Sequence, residues 1–431
     1  MKKITNRAVS VLLLAVLIIL GMLLYVIRYA DEGEDWAMAY SRANAGSSGA
    51  ILDRNGLVLA SFNATENAFS PDETTRIANY HITGDYWGRS STGLLTRYDA
   101  MLKGYSTLTG VTVPKDTVLR LNVDAELNNK AYAVLNGRKG AVLVCNYRTG
   151  ELLCMVSSPA VDPADPDPAP GDGAYINRCL SASFVPGSVF KLITAAAAIE
   201  CIPELERMSF TCEGSYNVAG VEIVCSGTHG EQTFEQALSN SCNVAFSQLS
   251  IRLGQSTMLR YVRAYGFLDG HELDGIPTAT GSFPEEFVGD PELGWAGIGQ
   301  STDLMCPYSL LRFVCAVAND GVLLEPSLIN TGRSPTGTRF MKADTAERLR
   351  EMMNYNVVHH YDGANRFPGL ALCAKTGTAE RGDGTSNAWF AGFLLDEEHP
   401  YAFVVLIEQG GGGLQAAGGA ANEILQYAVG R

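Results

Sequence analysis

The chain lacks the spacings that mark structural zinc. It has no Cys-x-x-Cys pair and no cluster of histidines, only six His scattered over 431 residues. His359 and His360 are adjacent, so a helix or strand would point them apart. Basic charge is scarce as well: 32 Lys and Arg stand against 46 Asp and Glu, a formal net charge of −14. That balance argues against nucleic acid and offers no broad basic surface to anionic lipid. Long apolar runs are missing too, with one exception. Ala8 to Ile27 is uncharged and mostly Leu, Val and Ile, long enough to cross a bilayer as a helix. Lys2, Lys3 and Arg7 precede it, and Asp31, Glu32, Glu34 and Asp35 follow soon after, so the basic end is expected in the cytoplasm and the rest outside. A cleaved signal peptide would have a shorter apolar region, and the small residues Ala37-Met38-Ala39 lie too far beyond it to be the cut, so an uncleaved single-pass anchor is the reading.

What the chain does have is a large apolar fraction, 46%, enough to bury a sizeable core. Its length suggests two or three domains. Most of the ten cysteines sit singly in apolar stretches, as small buried side chains do. Cys212 and Cys225 differ: they flank a Gly-rich segment that reads as a hairpin. They are either a disulfide or two free thiols, and geometry decides which.

The rest of the chain is organised around Pro186-Gly187-Ser188-Val189-Phe190-Lys191 and the Ala-rich run that follows. Pro-Gly predicts a turn and the run a helix over 188–201. Between Arg178 and Glu200 the only charged residue is Lys191, one turn from Ser188 on the same face. A lone Lys in such a helix either snorkels to water or sits desolvated, where its pKa falls and the neutral amine can serve a neighbouring hydroxyl as a base. The helix N-terminus adds positive potential where an oxyanion would form.

In chain order, residues 31–115 read as a small stalk unit. Within it, Ala50 to Ala60 is a hairpin, with Asn55-Gly56 suited to a type I′ turn. From Thr117 the pattern tightens. Thr117–Val123 alternates as a strand, and Asp124 is an N-cap for a helix over 125–137. Gly140–Cys145 and Glu151–Val156 form a hairpin. Helices are expected over 233–253, 256–266 and 303–320. Leu370–Thr378, Ala388–Leu395 and Tyr401–Glu408 are strands, and Ala417–Val429 is a closing helix. Two strands before a helical insertion and three after it assemble most economically as one five-stranded antiparallel sheet flanked by helices, with an all-helical lobe beside it. This is an α+β fold with a cleft where lobe meets sheet.

Two further motifs complete the set: Ser241-Cys242-Asn243 and Lys375-Thr376-Gly377-Thr378. Singly each reads as a helix cap or a strand end. Ser-x-x-Lys, Ser-x-Asn and Lys-Thr-Gly in that order resemble the active-site serine family of penicillin-binding proteins and serine β-lactamases. Ile298-Gly299-Gln300, Asn319-Asp320-Gly321, Trp389-Phe390-Ala391-Gly392 and Leu52-Asp53-Arg54-Asn55-Gly56 also look like segments of the transpeptidases. With one anchor and no glycosyltransferase domain, the chain is similar to a class B penicillin-binding protein of the short kind. The division is then 1–30 cytoplasmic tip and anchor, 31–115 pedestal, and 116–431 transpeptidase domain. Ser48 and Ser301 depart from that family's pattern, in place of Arg and Gly.

The resemblance implies a peptidoglycan D,D-transpeptidase that is acylated by β-lactams and needs no metal or cofactor. Ser188 would attack the carbonyl between two D-alanines of a stem peptide, and Lys191 would take its proton. Ser241 would relay a proton to the leaving nitrogen, Asn243 would hold a substrate amide, and Lys375 would supply positive potential. Thr376, Gly377 and Thr378 would bind substrate, the threonine hydroxyls receiving the terminal carboxylate. The backbone N–H groups of Ser188 and Thr378 would form the oxyanion hole, each donor worth about 3 kcal/mol. The implied protein partner is a polytopic membrane glycosyltransferase of the shape, elongation, division and sporulation family. The rivals are a D,D-carboxypeptidase or serine β-lactamase, which release the acyl group to water, and a catalytically silent β-lactam sensor or division scaffold. A sensor needs a signalling domain inside the cell, whereas only about seven residues precede the apolar run.

Overall fold

The computed structural model describes residues 2–46, 49–62, 67–103, 105–106, 110–111, 117–332 and 335–430. Ser48 and parts of the 31–115 segment lie outside the described residues. The chain divides into two compact units. One takes in residues 1–50, 60–68 and 98–119; the other takes in 51–59, 69–97 and 120–431.

In the first unit, α1 (Lys2–Gly46) is a single helix whose Thr5–Arg28 segment is long and apolar enough to cross a membrane. A short antiparallel pair, Tyr105–Ser106 with Gly110–Val111, belongs to the same unit.

The second unit is built on one sheet. Its strands are β1 (Gly140–Asn146), β2 (Leu152–Ser158), β3 (Leu372–Glu380), β4 (Ser386–Leu394) and β5 (Tyr401–Ile407). Their order across the sheet is β3-β4-β5-β1-β2, and every pairing is antiparallel. The five strands expected from the apolar runs are all present. They read as unbroken apolar runs because both faces are covered. Val142, Val144, Phe390, Phe403 and Val405 face one side, against α2 (Ala125–Leu135) and α8 (Gly419–Val429). On the other side α6 (Pro307–Ala318) packs against β1, β4 and β5. Asp124 caps α2 as expected, accepting from the Glu126 and Leu127 amides.

The lobe carries α3 (Lys191–Cys201), α4 (Phe234–Ser239), α5 (Asn243–Leu253) and α7 (Ala343–His359). Between α3 and α4 it also carries two antiparallel ribbons, Ser209–Cys212 with Gly230–Thr233 and Ser215–Val218 with Val221–Val224. Ala219 and Gly220, at φ 49° and 89°, make the two-residue turn of the second ribbon.

Four expectations need correcting. The lobe is not all-helical, because the segment between α3 and α4 pairs with itself into the two ribbons. The helix expected over 233–253 is two helices, broken at Ser241, which takes a left-handed φ of 53°. The turn after Leu52 is not type I′, since only Gly56 has positive φ (89°). Asp53 instead accepts from the amides of Asn55 and Leu57, giving a type I turn closed by a glycine bulge. Cys212 and Cys225 are not bridged; both thiols are free. The ribbon turns aim Cys225 at His229 and Cys242 instead, with Sγ 3.6 Å from His229 Nδ1 and 4.0 Å from Cys242 Sγ.

Candidate active site

The three motifs meet at the outer edge of β3. Ser188 sits in a short 3-10 turn, Gly187–Val189, that leads directly into α3. Two glycines let that turn lie against the strand. A Cβ on Gly377 would come within 2.9 Å of the Pro186 carbonyl oxygen and 3.1 Å of Trp389 Cβ. Gly187 itself has φ 55°, and a Cβ there would meet the Thr378 oxygen at 2.8 Å. The preceding loop is pinned by Trp389, whose indole N–H donates to the Val185 carbonyl at 3.0 Å.

Lys191 is completely buried and does not snorkel. Its Nζ donates to Ser188 Oγ at 3.0 Å, Asn243 Oδ1 at 2.7 Å and Ser241 Oγ at 3.2 Å. Lys375, equally buried, donates to the same Ser241 hydroxyl at 3.0 Å and to the Thr376 carbonyl at 2.9 Å. The left-handed backbone at Ser241 is what turns its side chain between the two amines; for a residue with a Cβ that is a strained conformation of the kind found at working sites. Burial pushes Lys191 down to about 8. Lys375 lies well below the usual lysine range, from burial first and the charge of Lys191 second. Two buried amines sharing one hydroxyl cannot both stay protonated cheaply, so the charge on Lys191 disfavours a second charge on Lys375.

Above this floor is a cleft of about 360 Å³, lined by Ser188, Ser241, Asn243, Thr376 and Thr378 with Trp295 at its side. Asn243 is fixed by donating to the Val224 carbonyl at 2.8 Å. Thr378 Oγ1 accepts from the Gly413 amide at 3.1 Å, which leaves its hydroxyl proton for a ligand. All eight site residues read from the motifs therefore fall within one groove or directly beneath it. One contributor was missed. Tyr361 is buried under β3, and its hydroxyl accepts from the Thr376 amide at 3.1 Å and lies 3.2 Å from Thr376 Oγ1. No local pattern flags that tyrosine; only the packing of the segment after α7 against β3 reveals it. Ser301, noted as a departure, adopts φ 75°, a conformation for which glycine is the usual residue.

A desolvated Ser-Lys pair beside a second Ser-Lys pair can do nucleophilic acyl transfer without metal. The family model for the penicillin binding protein transpeptidase domain matches residues 140–428. The chain belongs to the penicillin-binding protein transpeptidase family. Within it, the relatives and the fold place the chain with the class B penicillin-binding proteins. The peptidoglycan D,D-transpeptidase PbpA of Mycobacterium tuberculosis is 30% identical over 323 residues, 65% of this chain and 64% of that protein. Stage V sporulation protein D of Bacillus subtilis is 31% identical over 297 residues, 63% of this chain and 45% of that protein. The chain thus spans less than two thirds of the length of these curated relatives. Among solved structures, the penicillin G acyl-enzyme complex of penicillin-binding protein A from M. tuberculosis superposes with a TM-score of 0.73 at 26% identity, covering 89% of this chain and 99% of that one. This penicillin-binding protein therefore has a structural relative solved as a penicillin G acyl-enzyme complex.

Proposed function

We propose that the protein is a serine D,D-transpeptidase that cross-links peptidoglycan stem peptides and is acylated by β-lactams. The observation that carries this reading is the single amine, Lys191 Nζ, within hydrogen-bond distance of both Ser188 Oγ and Ser241 Oγ. Neutral Lys191 takes the Ser188 proton as Oγ attacks the penultimate D-Ala carbonyl. The amide N–H groups of Ser188 and Thr378 receive the oxyanion. Ser241, held between the two amines, passes a proton to the departing D-Ala nitrogen. An acceptor amine from a neighbouring stem then displaces Ser188 from the acyl-enzyme. Thr376, Thr378 and Lys375 capture the terminal carboxylate, whose arrival favours a protonated Lys375. Asn243 holds a substrate backbone amide.

In this reading α1 is a membrane anchor with its N-terminus in the cytoplasm and the sheet unit outside. Residues 31–115 are the pedestal, and a polytopic glycosyltransferase of the shape, elongation, division and sporulation family is the partner. The test is intact mass after incubation with labelled penicillin, followed over time and repeated with an acceptor amine present. A single long-lived adduct, absent from Ser188→Ala, supports the transpeptidase. Rapid return to the unmodified mass means a lactamase. No adduct at all removes the enzyme reading.

A further inference from the structure

The free thiols of the lobe form a group that the Ser188 chemistry does not use. Cys212, Cys225, His229 and Cys242 bring one ligand atom each to a common point, all four atoms lying within 4.8 Å of one another. They arrive from three segments, with Cys225 and His229 at the two ends of one five-residue connection. Cys212 ends one ribbon strand, opposite Gly230 on its partner, and His229 immediately precedes that partner. Cys225 follows the last strand of the second ribbon, and Cys242 is the N-cap of α5. The three cysteines are buried, and the histidine is half-buried at the rim.

Four ligands at tetrahedral corners around zinc, with Zn–S about 2.3 Å and Zn–N about 2.0–2.1 Å, place sulfurs about 3.8 Å apart and sulfur and nitrogen about 3.6 Å apart. The Cys225–Cys242 separation is 4.0 Å and the Cys225–His229 Nδ1 separation 3.6 Å. The first is far too long for a disulfide and close to an edge of that tetrahedron. Backbone amides already point at the sulfurs: Asn243 N donates to Cys225 Sγ at 3.2 Å and Ala245 N to Cys242 Sγ at 3.5 Å, the outer support that thiolate ligands need. Plain packing would be served by alanine or valine; it does not require three thiols and an imidazole converging on one point.

We propose that Cys212, Cys225, His229 and Cys242 form a closed Cys3His site for a zinc ion. The three thiols bind as thiolates and release their protons to solvent. With no position left for water, the site is structural rather than catalytic. Its place explains what it holds. Cys242 is the middle residue of Ser241-Cys242-Asn243, so the metal ties the start of α5 to both ribbons. Ser241 and Asn243, on either side of the ligand, are thereby held against Lys191. The site stands on its own geometry and does not depend on the acyl-transfer reading.

The test uses the full chain, purified in detergent without a histidine tag or chelator, and reads metal rather than activity. Mass spectrometry of metal content should find about one zinc per chain in the wild type and background levels in Cys225→Ser. Chelator-stripped wild-type protein titrated with cobalt(II) should develop the intense visible bands of tetrahedral thiolate coordination. His229→Ala, a change at the rim that the fold should tolerate, should weaken cobalt binding by at least about tenfold. The cobalt titration needs no variant to fold. Wild-type protein that carries no zinc and shows no cobalt bands overturns the site, whether its thiols are then found free or as a disulfide.

Discussion

Ser241 and Cys242 are neighbours in the chain but belong to two differently built regions. Ser241 faces the floor of the cleft, where every important group comes from a short motif set in a core element: a turn entering α3, the break before α5, and the edge strand β3. Cys242 faces the ribbons, where four ligands come from segments that share no motif. The first region is held by packing and by glycines that allow backbones to touch. The second consists of two small ribbons, each too slight to be stable alone, and depends on being tied together. The expectation is that chemistry fails when the first region is altered, and that order and position fail when the second is.

The largest effect should come from Ser188→Ala. It removes the nucleophile, so the covalent penicillin adduct disappears altogether in intact mass. Next is Lys191→Met, which leaves Ser188 Oγ without its base. The acylation rate by a chromogenic cephalosporin should fall by about 10²–10⁴, the range for a general base. The pH profile separates this from simple damage. Wild-type Lys191, pushed down to about 8, is protonated and useless as a base below that pH. The acylation rate should therefore fall about tenfold per unit as pH drops below 8, level off above it, and lose that slope in the Met variant. A wild-type rate flat from pH 6 to pH 9 would mean that Lys191 is not the base.

Gly377→Ala tests the packing side of the comparison. Its Cβ meets backbone oxygen and Trp389 rather than a flexible side-chain tip, so β3 must shift away from the Ser188 turn. Misplacement approaching 1 Å costs about 10²-fold in rate. Acylation should drop by roughly that factor, while the circular dichroism spectrum is retained. Stripping metal from the ribbon cluster should act more mildly on the same assay, by about tenfold, because it loosens Ser241 and Asn243 without removing either.

The two regions also differ in how well they could be read from the chain. Ser188, Lys191, Ser241, Asn243 and the Lys375 motif were legible because each carries its chemistry at fixed local spacing. The five strands were legible because a sheet covered on both faces leaves unbroken apolar runs. The left-handed Ser241 was not, since a serine between two helical patterns carries no sign that the helix breaks there. The thiol cluster was hidden for a different reason. Its nearest pair is Cys225 and His229, and the remaining ligands are brought in by ribbon pairing and a helix start, which are long-range events. The chain has no Cys-x-x-Cys, so no local spacing marks the cluster.

Tyr361→Phe is the finest probe, and it separates positioning from chemistry. The hydroxyl touches no cleft atom except through Thr376, whose amide donates to it at 3.1 Å. Burial raises its pKa, so it remains a neutral phenol at any working pH. Replacing it by Phe keeps the ring packed against Phe390 but strands a backbone N–H, at a cost of about 1–3 kcal/mol in stability. Because Lys191 and Ser188 are untouched, the maximal acylation rate and its pH profile should hold. The affinity for a carboxylate-bearing β-lactam should fall a few-fold, because Thr376 is no longer oriented from below. A change in the maximal rate with affinity preserved would instead place Tyr361 among the groups that move protons, and the division between a chemical floor and its supporting layer would have to be redrawn one residue deeper.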